Sequence, residues 1–181
     1  MRNNIENIEG ALSVFRRFAV EVAVGDSEFR PGTGRYDDYV RLSRLCCGSL
    51  EAMSDIDEAR SVLEILDVFA STGDPGAEAV YAGALLRDDK PWYSPSDGKR
   101  LLDNAFRKCD KRAPASGHIL FLYGLQLFLG RGRYVEDVPS AFRWIRRAAE
   151  LGYVPAVRFV PHIEAALKER SCGRSAASSR A

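Results

Sequence analysis

Two histidines, His118 and His162, and four cysteines, Cys46, Cys47, Cys109 and Cys172, are the side chains of this sequence best suited to nucleophilic, acid–base or metal chemistry. Their spacing supports none of it. Neither histidine sits in a His-Glu-x-x-His frame or at local spacing to a cysteine, and no Cys-x-x-Cys pair occurs; no metal, cofactor or catalytic residue is expected on that basis. Adjacent Cys46 and Cys47 do not readily bridge each other, so all four cysteines are expected as free, buried thiols. Gly130-Arg-Gly132 lacks the Gly-x-x-x-x-Gly-Lys-Ser/Thr frame of a phosphate loop and follows a helical pattern, which reads as a tight turn. Asp88-Asp89 lacks the alternating oxygen ligands of a calcium loop. An enzymatic reading would have to centre on His118, near the start of a helix, and it stands third among the functional readings.

Residue types suited to contacts are easier to find. Lys90-Pro-Trp-Tyr-Ser-Pro95 puts Trp92 and Tyr93 in a proline-bounded loop, where amphipathic rings either anchor a partner or fold back over the end of a helical hairpin. Arg131, Arg133 and Tyr134 make a basic, aromatic-flanked turn suited to an acidic surface or phosphates, with a merely solvated turn as the alternative. Tyr81, within the helix expected over 75–87, completes the set of candidate protein-binding residues.

The elements that must position these residues read as helices throughout. Ile5, Ile8, Leu12, Phe15, Ala19 and Val22 follow helical spacing in a segment with Glu6, Glu9, Glu21 and Arg16-Arg17, an amphipathic helix rather than a secretory signal. The expected compartment is therefore the cytoplasm. A loop with one proline and two glycines, Phe29 to Arg35, separates it from helices over about 37–52 and 54–70, the latter capped by Ser54 or Asp55. Asp74 is expected to cap the next helix, 75–87, with Pro75 at its first position. Further helices are expected over about 96–112, 115–129, 137–151 and 155–170, with a small, polar, disordered tail over 171–181.

Composition bounds the remaining classes. In 181 residues, 46% are hydrophobic and 28% charged, a globular balance. No run reaches the roughly 18–20 apolar residues of a membrane-spanning helix. The formal net charge of +1 argues against nucleic acid as a partner, since it implies no broad basic stripe. Charge is nonetheless graded: residues from Arg131 onward carry ten basic and five acidic side chains, net +5, against −4 before them.

The helices repeat with a period near 40. Gly83 and Gly124 are 41 apart, Asp97 and Asp137 are 40 apart, and Asp57 precedes Asp97 by another 40. The fullest unit runs Ile119-Leu-Phe-Leu-Tyr-Gly124, Leu127, Gly130-Arg-Gly132, Asp137, Ala141, Trp144, Arg147-Ala-Ala149 and Gly152. It resembles the Sel1-like repeat, a relative of the tetratricopeptide repeat. It departs from that pattern at Ile119, Tyr123, Leu127 and Arg133-Tyr134, and has Arg147 in place of the usual lysine. The preceding unit keeps Ala79, Gly83, Leu86 and Asp97 but lacks the Gly-x-Gly loop and has Lys108-Cys109 in place of Ala-Ala.

The resemblance implies an all-α, right-handed solenoid of about four stacked antiparallel hairpins over residues 1–170. It would comprise degenerate hairpins over 1–73, repeats over about 74–113 and 114–152, and a capping helix over 153–170. Gly83, Asp97, Gly124, Asp137, Ala141, Trp144, Ala148, Ala149 and Gly152 take structural roles in it. The pattern also makes physical sense in the helix over 137–151. There Val138, Ala141, Phe142, Ile145, Ala148 and Ala149 share one face, small residues permit close axes, and Arg143, Arg146, Arg147 and Glu150 face solvent. The implied function is a non-enzymatic adaptor that grips a partner protein on a concave face lined by the first helix of each hairpin. A small inhibitor or immunity-type protein that neutralises a toxin or effector is the alternative, suggested by the short chain.

Overall fold

The computed structural model describes residues 50–71 and 73–178. The helices expected over Met1–Val24 and 37–49, the loop from Phe29 to Arg35, and Cys46 and Cys47 lie outside the described residues.

Among the described residues the protein is all-helical, with no strand. It comprises α1 (Ile56–Ser71), α2 (Pro75–Leu85), α3 (Pro95–Lys108), α4 (Gly117–Leu129), α5 (Val138–Glu150) and α6 (Val154–Ser178), with a 3-10 turn at Pro114–Ser116 before α4. Where the sequence suggests one domain over 1–170, packing groups the chain into two compact units, Met1–Ala105 and Phe106–Ala181, divided within the last turn of α3.

In the N-terminal unit, aspartates start the helices. Asp55 Oδ1 accepts the Asp57 amide at 2.6 Å ahead of α1. Asp74 Oδ2 accepts the Ala77 amide at 2.8 Å, with Pro75 opening α2 where a missing N–H costs nothing. The apolar stripe Val62, Ile65, Leu66 and Phe69 of α1 then packs with Ala77 and Ala84 of α2. The loop after α2 is tied back across this core. Lys90 Nζ donates to the carbonyls of Glu51 and Met53 at 2.8 and 2.7 Å, placing a cation at the C-terminal end of the helical segment at 50–52. The Ser94 amide donates to the Leu85 carbonyl at 2.9 Å.

In the C-terminal unit, α4 and α5 form an antiparallel hairpin whose register can be read from its glycines. A Cβ on Gly117 would lie 3.6 Å from the Ala148 carbonyl oxygen, and one on Gly124 only 3.1 Å from that of Ala141 and 2.8 Å from Ile145 Cγ1. As α4 ascends, the facing residue of α5 descends. Any side chain at 124 would push the two axes apart. Val138, Ala141, Ile145 and Ala148 of α5 are buried, whereas Phe142 and Ala149 are half-buried. The turn between the helices returns through Gly130, Gly132 and Arg133, all left-handed at φ of 60°, 59° and 67°. It closes with the Asp137 amide donating to the Leu127 carbonyl at 2.9 Å.

The last helix holds Pro161 in its interior and continues to Ser178, through residues that composition assigns to a disordered tail. Ala176 and Ala177 are strong helix formers, and extending an existing helix costs far less than nucleating one.

Candidate functional site

Six residues are candidate contacts from sequence, and the structure divides them. Tyr81, Trp92 and Tyr93 belong to the N-terminal unit; Arg131, Arg133 and Tyr134 belong to the C-terminal one. Trp92 is not a surface anchor. Its ring is 6% exposed and joins Val62, Leu66 and Phe69 in the core, because the Lys90 tethers draw the loop inward over apolar surface. Tyr134 is likewise 6% exposed, edge-on to Tyr123 with centroids 5.7 Å apart. Tyr81 is half-buried against the same core as Trp92, and burial, followed by Asp67 and Asp97, pushes its phenol above the usual range. Tyr93, Arg131 and Arg133 are exposed.

The residues that carry the resemblance are placed at helix starts, along the helix faces and in a turn, and the two aspartates differ: Asp137 precedes its helix and Asp97 lies inside the first turn of its own. Asp137 caps α5 and accepts the Ser140 amide at 3.0 Å; the Ser140 hydroxyl first, and then this amide, hold its carboxyl below the ordinary range. Asp97 lies in the first turn of α3 and accepts the Ser94 hydroxyl at 2.8 Å; that bond, then Arg100, lowers its pKa. Ala141 and Ala148 are fully buried, Gly83 and Trp144 are half-buried, and Gly152 takes a left-handed φ of 83° just beyond α5.

The chemically suspect residues are placed among packing contacts. His118 is half-buried with its ring edge toward Tyr153, centroids 5.9 Å apart. His162 is exposed and tilted against Phe159. Cys109 is a buried free thiol pushed up by desolvation, as expected of an unreactive cysteine. No group of three or more His, Cys, Asp or Glu side chains stands ready for a metal ion among the described residues. No helix among them is long and apolar enough to cross a membrane.

A different site emerges on α5. A groove of about 560 Å³ is lined by Lys111, Arg112, Phe142, Arg143, Trp144, Arg146, Arg147 and Glu150. It is built from an aromatic chain outward. Phe106 stacks on Tyr123 at 4.0 Å and meets the Trp144 ring edge-on at 4.9 Å, fixing Trp144 as the floor. Lys111 Nζ lies 4.7 Å from the Phe106 centroid and donates to the carbonyls of Phe106, Arg107 and Cys109, closing the end of α3. Arg147 Nε donates to the Lys111 carbonyl at 3.0 Å and so pins this loop to α5. The Arg143 guanidinium lies 4.5 Å from the Trp144 centroid. Glu150 accepts an ion pair from Arg147 at 3.1 Å and from Arg146 at 3.5 Å.

The groove therefore presents five cations, one carboxylate and two half-buried aromatic rings. From sequence, Arg143, Arg146, Arg147 and Glu150 form a solvated helix face; the structure adds Lys111 and Arg112 to it across 36 positions. It lies on the second helix of its hairpin, not on the first helices where the sequence places a binding surface. The setting is electropositive: the residues after Ala105 carry 14 basic against 6 acidic side chains, net +8, and those before carry 12 against 19, net −7. No family model, curated protein or solved structure matches this chain.

Proposed function

We propose that this protein is a non-enzymatic protein-binding adaptor built from Sel1-like hairpins, stacked as a right-handed solenoid of about four. The α4–α5 hairpin carries the proposal. Its antiparallel register depends on Gly124 against Ala141 and Ile145, and Gly124 and Ala141 are among the residues by which the sequence resembles the repeat. Asp97 and Asp137, 40 positions apart, both lie at helix starts, though by different bonds: Asp97 accepts the Ser94 hydroxyl from within the first turn and Asp137 accepts the Ser140 amide as the cap. A hairpin of this kind cannot bury its own apolar face, so stacking stabilises it and leaves an extended surface for a partner. Capture on immobilised full-length protein from its native cell should yield one stoichiometric complex. Recovery of background proteins alone would defeat the adaptor reading.

A further inference from the structure

We infer that the groove on α5 is the docking site for an acidic segment of a partner protein, seated with an apolar side chain on Trp144 and its carboxylates on Arg112, Arg143 and Arg146. The inference deepens the adaptor reading and rests on it for the partner being a protein. Three observations carry it. First, the cations are not equally engaged: Lys111 and Arg147 are committed to backbone carbonyls, whereas Arg112, Arg143 and Arg146 are exposed at the rim, Arg143 resting on Trp144 and Arg146 in a long, solvent-exposed pair with Glu150. Second, the groove already holds a carboxylate: Glu150 lies between Arg146 and Arg147, and an incoming Asp or Glu would extend that pairing along the same rim. Third, the floor is aromatic and braced: Trp144 is held by the Phe106–Tyr123 stack, and the exposed Arg143 that now lies over it at 4.5 Å is the group an incoming apolar side chain displaces toward a partner carboxylate.

Size and charge favour a polypeptide over a polynucleotide. From Phe142 to Glu150 the helix advances about 12 Å, the length of roughly three or four extended residues. A carboxylate inside the groove would repel a continuous row of phosphates, while it interleaves with separated Asp or Glu side chains. The +8 balance of this unit steers such a segment toward the groove.

The test uses the full chain and a fluorescein-labelled glutamate-rich peptide with a central phenylalanine. Its glutamine counterpart and a single-stranded polyuridine oligonucleotide are the competing probes, and binding is read by anisotropy. The acidic peptide should bind, weaken steeply from about 50 to about 200 mM salt, and shift tryptophan emission in wild type but not in Trp144→Phe. Arg143→Glu with Arg146→Glu should weaken it about tenfold, with circular dichroism unchanged because both side chains are exposed. The milder Arg143→Gln should weaken it less. Tighter binding of polyuridine, equal binding of the glutamine peptide, or no binding of the acidic peptide would each overturn the inference. So would salt-sensitive self-association blocked by the charge reversal, which would make a second copy the occupant. The two readings fail separately. A captured partner held equally by wild type and the charge-reversed protein removes the groove but leaves the adaptor. A probe peptide that binds where no partner is captured does the reverse.

Discussion

The two units reach helical packing by different means. The N-terminal one closes an aliphatic core with a loop, Lys90 pulling Trp92 onto Val62, Leu66 and Phe69. The C-terminal one closes by backbone approach at Gly124 and by an aromatic chain from Tyr134 through Tyr123 and Phe106 to Trp144. The first arrangement spends its tryptophan on burial and the second leaves its tryptophan half-exposed. Whether a tryptophan here is buried or left half-exposed thus follows from what tethers the chain beside it, not from residue type.

That contrast can be broken most directly at Trp92. Trp92→Ala should destabilise by about 3–5 kcal/mol, read by denaturant midpoint, with amide exchange rising in α1 and α2 before it rises in α4 and α5. The indole N–H is buried without an acceptor, so Trp92→Phe removes an unsatisfied donor as well as volume and should cost no more than about 1 kcal/mol. Equal losses for the two variants would show that the ring is not core.

Gly124→Ala is the counterpart in the other unit. The added Cβ meets Ile145 Cγ1 at 2.8 Å and the Ala141 carbonyl at 3.1 Å, and the cost should be about 1–3 kcal/mol. A neutral result would remove close approach as the basis of the hairpin. Smaller effects belong to the caps and the turn. Asp74→Ala should lose about 1 kcal/mol, while Asp74→Asn retains most of it. Arg133 is the non-glycine residue with a left-handed φ among the described residues, and Arg133→Gly should stabilise by about 0.5 kcal/mol, strain relief slightly exceeding the entropy of glycine.

Acid should produce the smallest change and divide the units unevenly. The Arg87 guanidinium holds Asp89 down to about 2, and Asp97 and Asp137 are also lowered from 3.8. Depressed carboxylates contribute stability that is complete above pH 3.8 and lost as pH falls through their folded values. Two of the three lie in the N-terminal unit. Thermal midpoints measured between about pH 5 and 2 should decline in wild type, and less so in Asp89→Asn and Asp97→Asn. Parallel slopes would dissociate these groups from acid stability.

Much of this architecture is legible in the residues themselves. The caps at Asp74 and Asp137 follow from an aspartate placed three residues ahead of the amide it accepts, and the α5 stripe from spacings of three and four. Trp92 is ambiguous because a proline-bounded loop permits either fate; the deciding bonds, from Lys90 to Glu51 and Met53, span 39 and 37 positions. The groove is legible only by half. Arg143, Arg146, Arg147 and Glu150 mark a charged helix face, but the Arg147 bond that brings Lys111 and Arg112 alongside crosses 36 residues. Local patterning carries no information about such distant closures. Composition also misses the length of α6, because small polar residues that cannot build a core still propagate a helix already begun.

Pro161 gives α6 an asymmetry along its length. Having no amide hydrogen, it deletes one rung of the ladder in the middle of the helix, opposite the Val157 carbonyl, and Val157 is exposed so that water can take up the loss. Ile163, fully buried, clamps the chain immediately afterwards. The helix stays continuous across this missing rung, and thermal fraying that enters from the carboxyl end should slow at Ile163 rather than run on into the hairpin.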